Sequence, residues 1–172
     1  LAAYTPAHDR GVARMNLELI AYLKKQGDFT AMADVEKALK LKRDKLFASV
    51  EDLIEEGYNV EFHPYLGVKL IDIPDRLLEH EIREDLNAER IGKVLRIYDK
   101  VESTNQTAWA LIEQDPKIAD GTVILAESQT SGRGRMGSEW HSPAGCGIWM
   151  SVVLKVHLPP EKIALLTATA SL

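Results

Sequence analysis

A stretch rich in glycine and arginine, residues 130–147 (TSGRGRMGSEWHSPAGCG), carries the residue types best suited to chemistry in this chain. Arg133 and Arg135 alternate with glycines, and guanidinium groups bind phosphate and carboxylate oxygens through paired hydrogen bonds. Glycine lets a backbone approach a ligand closely and lets a loop stay open until that ligand arrives. The stretch therefore predicts a mobile loop that binds an anion, and a solvated Arg-Gly surface loop is the alternative.

The spacing of Gly132, Gly134 and Gly137 also matches G-x-G-x-x-G, the pattern of dinucleotide-binding folds. That interpretation requires a helix directly after the glycines, with its N-terminus directed at pyrophosphate. Pro143 and the glycines that follow it prevent such a helix, and no acidic residue stands at the expected distance of about 20 residues. A Gly-Lys-Ser/Thr phosphate loop is absent, and one Arg-Gly cluster is too few for an RNA-binding repeat. These three interpretations are therefore rejected.

A wider pattern surrounds the loop. Ser103, Thr104 and Asn105 follow a predicted strand, and residues 126–151 read AESQTSGRGRMGSEWHSPAGCGIWMS. Together they resemble the biotin protein ligase family, whose mark is G-R-G-R-x-G-x-x-W-x-S-P-x-G before an aromatic strand, with Ser-Thr-Asn upstream. The resemblance extends from about Asn16 onward. In bifunctional members of the family, a winged helix precedes the catalytic domain and the protein also represses biotin synthesis genes.

The resemblance implies an ATP-dependent, AMP-forming ligase whose substrates are biotin and ATP. The biotin carboxylate attacks the α-phosphate of Mg-ATP, and a lysine of a biotin carboxyl carrier protein then displaces AMP from biotinyl-5′-adenylate. Because negative charge develops on phosphoryl oxygens, the chemistry needs fixed cations and a cover that excludes water. Mg²⁺ would arrive with ATP, and the five histidines show no spacing typical of a metal site, so no protein metal site is expected.

The resemblance also implies residue roles. Biotin contacts are expected at Ser103, Thr104, Asn105, Gln129, Gly132, Arg133, Gly134 and Arg135. Arg133 and Arg135 would be the catalytic cations that hold the biotin carboxylate and the adenylate phosphate. With Trp140 on the adenine side, these two arginines would also bind the nucleotide.

Ser103 has a simpler interpretation, and parts of the loop depart from the family pattern. Ser103 and Gln106 stand in the S-x-x-Q relation of a capping box, so Ser103 can cap a helix whether or not it binds biotin. Met136 and its neighbours Ser138 and Glu139 replace basic residues of some members, so adenylate retention is open to change. Cys146 is interpreted as a small buried residue and not as a nucleophile.

The elements that position these residues predict an α+β chain. Apolar residues at helical spacing predict three helices that end near Gly27, before Lys42 and at Gly57, and a β-hairpin follows around Pro64 and Gly67. This order is typical of a winged helix-turn-helix, whose third helix enters the major groove of DNA. Lys42, Arg43 and Lys45 would contact DNA phosphates, although four acidic residues follow them on the same helix. A small helical domain without a DNA function is the alternative.

The second half predicts the first part of a mixed α/β catalytic domain like that of biotin and lipoate ligases. Strands at 93–101, 121–128 and 147–156 alternate with a helix that starts at Ser103 and with a final helix after residue 158. The predicted division is an extension (1–15), a winged helix-turn-helix (16–73), a linker and helix (74–90) and an incomplete catalytic domain (91–172). The family's Lys-Trp-Pro-Asn-Asp motif has no counterpart here, so we expect a C-terminally truncated chain that is inactive alone.

Composition bounds the remaining choices. The 172 residues carry a net charge of −5 and neither half is basic, which weakens a general claim of nucleic-acid binding. One cysteine excludes an internal disulfide and favours a reducing compartment. The sequence shows no membrane-length apolar run and no signal peptide, so we expect a cytoplasmic protein without a membrane partner. Operator DNA and a second copy of the chain stay open as partners. A transcriptional regulator without ligase activity and a lipoate ligase-like enzyme stay open as functions.

Overall fold

The computed structural model describes residues 15–134, 138–159 and 162. The described helices and strands are α1 (Leu17–Gln26), α2 (Met32–Leu39), α3 (Arg43–Glu55), β1 (Asn59–His63), β2 (Gly67–Asp72), α4 (Glu79–Glu84), β3 (Leu95–Val101), α5 (Thr104–Gln114), β4 (Thr122–Gln129) and β5 (Trp149–Val153). They confirm the predicted mixture of helices and strands. The predicted extension at 1–15, apart from Met15, and the predicted final helix, apart from residues 159 and 162, lie outside the described residues.

Three helices and a hairpin pack around the first core. Leu19, Leu46 and Leu53 are fully buried there, and α1 begins where the Asn16 side chain accepts a hydrogen bond from the Leu19 N–H. Strands β1 and β2 pair antiparallel, as predicted. Gly67 permits this packing, because its φ is 100° and a Cβ there would lie 2.0 Å from a backbone oxygen. Several apolar residues of α3 and of the hairpin region stay exposed, including Ile54, Phe62 and Ile73.

A three-stranded sheet in the order β3-β4-β5 forms the second half. Strands β3 and β4 are parallel and α5 connects them, whereas β4 and β5 are antiparallel. Because the carboxyl ends of parallel strands meet at one edge of a sheet, the residues after β3 lie next to the end of β4. The register pairs Val101 with Gln129, which brings Ser103 and the start of α5 to that glutamine.

The connector, which we define as residues 77–84, packs against both halves. Leu78 is buried in the first core, whereas Leu77 and Ile82 pack on the sheet against a cluster that includes Leu95 and Leu125. The Leu77 N–H also donates to a Glu127 carboxylate oxygen in β4. Among the described residues, no helix is long and apolar enough to cross a membrane.

A polar cluster fixes the connector to the helices. The Lys24 ammonium pairs with Glu81 and Glu84, and the Tyr58 hydroxyl donates to Glu81 Oε1 at 2.5 Å. His80 Nε2 lies 2.6 Å from the same hydroxyl oxygen, so Nε2 carries the proton and donates it. His80 Nδ1 is then a buried acceptor without a partner in the described part of the chain. Burial lowers the pKa of His80, because a second ring proton would be poorly solvated.

Candidate functional site

The first turn of α5 is capped from a neighbouring strand. The Thr104 N–H donates to Gln129 Oε1 at 2.8 Å, and Thr104 Oγ1 lies 3.2 Å from the same oxygen. Ser103 occupies the N-cap position with extended backbone, but its side chain makes no capping hydrogen bond. The predicted capping box is therefore wrong, because the parallel register supplies a carboxamide oxygen from 25 residues away.

Strand β5 holds the same turn from the other side. Ser151 Oγ lies 2.9 Å from Thr104 Oγ1 and 2.7 Å from Asn105 Oδ1. Ser103 and Thr104 are buried, whereas Asn105 is exposed. Ser103, Thr104 and Asn105, three of the eight residues predicted to contact biotin, thus form one fixed turn at the edge of the sheet.

The flanks of the glycine-arginine loop pair with each other. Isolated antiparallel bridges join Gln129 to Ser142 and Arg133 to Glu139. Between these two bridges, the Trp140 N–H donates to the Gly132 carbonyl oxygen at 2.8 Å. The loop was predicted to be mobile, and its described flanks are held as a narrow ribbon. The turn at 135–137 lies outside the described residues, and with it the predicted Arg135.

Gly132 is required where the two flanks approach. A Cβ at this position would lie 2.5 Å from the Trp140 carbonyl oxygen, 2.7 Å from Ser142 Oγ and 3.2 Å from Gln129 Nε2. The Gln129 side chain donates to Ser142 Oγ at 2.9 Å, and that hydroxyl donates to the Trp140 carbonyl oxygen at 3.1 Å. Gly132 therefore serves the backbone packing of the ribbon.

A pocket of about 250 Å³ lies between the turn and the ribbon. Its lining residues are Ser103, Thr104, Asn105, Gln129, Arg133, Trp140, Ile148, Trp149 and Met150. A larger cavity of about 800 Å³ shares three of these residues and is lined by the ribbon, Gly132 included. Among the described residues that were predicted to bind biotin or the nucleotide, Gly134 lines neither space. Arg133 is the one arginine or lysine among the described lining residues.

Sequence reasoning missed several residues that line this pocket or pack beside it. Ser142 and Ser151 were assigned no role, and neither were residues 148–150 of the aromatic strand. The Trp149 indole N–H donates to the Pro143 carbonyl oxygen at 3.0 Å and so ties the Ser-Pro segment to β5. Trp149 stands in the motif quoted above, so the sequence could have indicated that it belongs to the pocket. A serine on a strand does not indicate from sequence which atoms its hydroxyl contacts. The prediction that Cys146 is buried is wrong, because it lies exposed in the turn after Pro143.

The residues predicted to contact DNA lie together at the start of α3. Lys42, Arg43 and Lys45 are all exposed, and Arg43 Nε lies 4.0 Å from a Glu36 carboxylate oxygen. One turn further on, the Phe47 ring stacks on a hairpin phenylalanine at 5.7 Å. The basic residues therefore border an aromatic surface.

Residues 98–172 match the Biotin/lipoate A/B protein ligase family. The chain is 37% identical over 155 residues to the bifunctional ligase/repressor BirA of Bacillus subtilis, an overlap of 90% of this chain and 47% of that protein. It is 27% identical over 144 residues to the protein of the same name from Escherichia coli, an overlap of 84% and 42%. The chain thus spans less than half the length of these curated relatives.

Among solved structures, the biotin protein ligase from Leishmania major in complex with biotinyl-5-AMP is 28% identical, over 43% of this chain and 29% of that one, with a TM-score of 0.37. The resemblance to biotin protein ligases that the motif indicated is confirmed by the family match and by the two sequence relatives. Through residues 98–172, the chain is thus similar to the biotin/lipoate A/B protein ligase family.

Proposed function

We propose that the protein is a cytoplasmic, ATP-dependent and AMP-forming biotin ligase that modifies a lysine of a biotin carboxyl carrier protein. One observation carries this proposal. The ends of β3 and β4 bring Ser103, Thr104, Asn105, Gln129, Arg133 and Trp140 around one pocket. Uncharged hydrogen-bonding groups suit a ureido ring, and an arginine beside them suits a carboxylate or a phosphate.

In the first step, a biotin carboxylate oxygen forms a bond to the α-phosphorus of ATP, and the bond to the bridging oxygen breaks so that pyrophosphate leaves. Arg133 would balance the negative charge that develops on the phosphoryl oxygens. We assign Arg135 the same role from the sequence alone. In the second step, a deprotonated lysine amine attacks the acyl carbon and AMP leaves.

The remaining predicted residues would bind and orient the substrates. Ser103, Thr104 and Asn105 would contact the ureido ring, Gln129 would hold their turn in place, and Trp140 would cover the adenine. Mg²⁺ would enter with the ATP phosphates, since it is commonly bound through substrate phosphates.

Release of pyrophosphate from ATP in the presence of biotin tests this proposal in the full-length protein. Arg133→Ala is expected to lower kcat about 100-fold, the effect typical of removing one donor that stabilises developing charge. Arg96→Ala is the matched control, because Arg96 is exposed on β3 and lines neither cavity. A kcat within twofold of the unmodified protein would contradict the assignment of Arg133.

Substrate choice is tested by calorimetry with biotin and with lipoate. Tight biotin binding without lipoate binding is expected. The reverse result would make the protein a lipoate ligase-like enzyme, and binding of biotin without any pyrophosphate release would favour a regulator that only senses it.

We also propose that residues 16–73 form a winged helix-turn-helix that contacts operator DNA. Three helices followed by a hairpin support it, as do Lys42, Arg43 and Lys45 at the exposed start of α3. The two BirA relatives are named as repressors. Dimerisation on such an operator stays a prediction, which sedimentation with and without biotin and ATP would test.

Salt dependence of DNA binding tests this second proposal. Each phosphate contact contributes a slope of about −0.9 to log K against log salt, so the triple variant Lys42→Ala, Arg43→Ala, Lys45→Ala should reduce the slope by about three. Lys25→Ala on the exposed side of α1 is the control. An unchanged slope in the triple variant would exclude these residues as phosphate contacts.

A further inference from the structure

We propose that Ser151 is a positioning residue that sets the ligand selectivity of the pocket by fixing the orientation of the Asn105 carboxamide. Ser151 lies on β5 and does not itself line the pocket, whereas Asn105 does. The inference rests on the proposed function, because it concerns how the same pocket recognises the ureido group.

The directions of the hydrogen bonds follow from a count of protons. Three close contacts link Ser151 Oγ to Asn105 Oδ1 at 2.7 Å, Ser151 Oγ to Thr104 Oγ1 at 2.9 Å, and Thr104 Oγ1 to Gln129 Oε1 at 3.2 Å. The two hydroxyls supply only two protons, and the two carboxamide oxygens can only accept. Ser151 must donate to Asn105, because no other proton serves that contact.

The second proton then has two acceptors to choose between. Gln129 Oε1 already accepts the Thr104 N–H at 2.8 Å, and the contact from the Thr104 hydroxyl to Ser151 is the shorter of its two. Either donation by the Thr104 hydroxyl leaves the Ser151 proton on the Asn105 oxygen, because a carbonyl oxygen can accept two hydrogen bonds and a serine hydroxyl can accept as well as donate. A chain of contacts results, from Thr104 through Ser151 to the Asn105 oxygen, and its last hydrogen bond has a fixed direction.

This chain decides what Asn105 can offer a ligand. With its oxygen directed at Ser151, the carboxamide presents its N–H donors to a ligand. A ureido carbonyl oxygen accepts such donors, whereas a cyclic guanidinium carries N–H groups at the same position. Sites that hydrogen-bond one ligand group reject an analogue with the wrong group strongly, because buried polar atoms are left unpaired.

Burial gives the chain its fixed geometry. Ser151 is 9% exposed and Thr104 is 4% exposed, so water competes weakly for their hydroxyls. Ser151 is also fixed by its place on β5, where it pairs with the fully buried Ile124 of β4. Without the serine hydroxyl, the exposed Asn105 side chain can rotate and present either end of its carboxamide.

Binding of biotin and of 2-iminobiotin at neutral pH, where the latter is a guanidinium, tests this inference in the full-length protein. Ser151→Ala is expected to weaken biotin binding about tenfold and to reduce the preference for biotin over 2-iminobiotin about tenfold, while ATP affinity stays within twofold. In an Asn105→Ala background, Ser151→Ala should change biotin affinity less than twofold.

Thr122→Val is the matched control. Thr122 is fully buried at the start of β4, and its hydroxyl donates to the Ala119 carbonyl oxygen at 2.7 Å, away from the pocket. This variant should lower the melting temperature and leave the biotin preference unchanged. Ser151→Cys keeps the side-chain size with a weak donor and should reproduce the loss of preference if Ser151→Ala is poorly folded.

The outcomes separate the two levels of the argument. If the unmodified protein binds no biotin, the proposed function fails. If it binds biotin and both Ser151 variants keep the preference over 2-iminobiotin, only the positioning role is overturned. A loss of preference in Thr122→Val equal to that in the Ser151 variants would also overturn it, since a general loss of stability would then explain both.

Discussion

Replacing Gln129 with alanine should cost about 2 kcal/mol of the free energy of unfolding. Its Oε1 caps the first turn of α5 through the Thr104 N–H, and loss of an N-cap acceptor costs about 1 kcal/mol. Its Nε2 donates to Ser142 Oγ at 2.9 Å, and a net hydrogen bond of this kind contributes about 1 kcal/mol. The two contributions concern different segments, the helix and the ribbon, so they should add.

Gln129→Glu separates these two contributions. A carboxylate keeps the acceptor for the Thr104 N–H and places a negative charge at a helix N-terminus, where it is favourable. It removes the donor to Ser142. The free energy of unfolding should therefore fall by about 1 kcal/mol, half of the loss in Gln129→Ala.

Urea unfolding followed by tryptophan fluorescence measures both variants in the full-length protein. Gln114→Ala is the control, because Gln114 is an exposed glutamine at the other end of α5 and should change stability by less than 0.5 kcal/mol. Gln129→Ala and Gln129→Glu destabilising equally would refute the capping role. A loss in Gln129→Ala no larger than in Gln114→Ala would refute the whole account of this side chain.

Two further predictions concern the ribbon and the polar cluster. Gly132→Ala should reduce pyrophosphate release at least tenfold, because its Cβ would lie under 3.0 Å from two ribbon atoms. Gly145→Ala is the control: its φ is 69° with open space around it, so it should cost about 1 kcal/mol of stability and little activity. Equal activity in both variants would refute the packing argument. Burial lowers the pKa of His80, and the pKa of Glu81 is also lowered, since hydrogen bonds to its carboxylate outweigh burial. Both groups bind protons less readily when folded, so stability should be full above about pH 6.5 and fall as the pH drops below it. Melting temperatures between pH 8 and 5 check this, and His80→Gln should flatten the upper part of the fall; an unchanged profile in that variant would contradict it.

The sequence was sufficient for the helices and strands because their signals are local. Leu46, Val50 and Leu53 repeat at helical spacing and are all fully buried, and Pro64 with Gly67 marks the hairpin turn. The pocket residues could be named from a motif. Their contacts could not, because they depend on which residues of two parallel strands lie side by side.

Other differences also come from long-range packing. A serine three residues before a glutamine predicts a capping box, yet the acceptor for α5 comes from the neighbouring strand. Phe62 alternates as a core residue should, but it stacks on the exposed Phe47 of α3 and stays partly exposed itself. The sequence of the connector shows apolar residues, but it does not indicate that Leu77 and Leu78 pack in different cores.

That arrangement of the connector bears on how such a protein could be assembled or divided during evolution. Leu77 and Leu78 are adjacent, yet each completes the hydrophobic core of a different half. A gene fragment that ended at residue 73 would lack one residue of the helical core, and one that began at residue 91 would uncover the apolar cluster around Leu95 and Leu125. Exposed apolar surface of this kind promotes aggregation. Each half therefore needs residues 77–84 to complete its core. Recombination at any point within that segment would leave one half with an incomplete core.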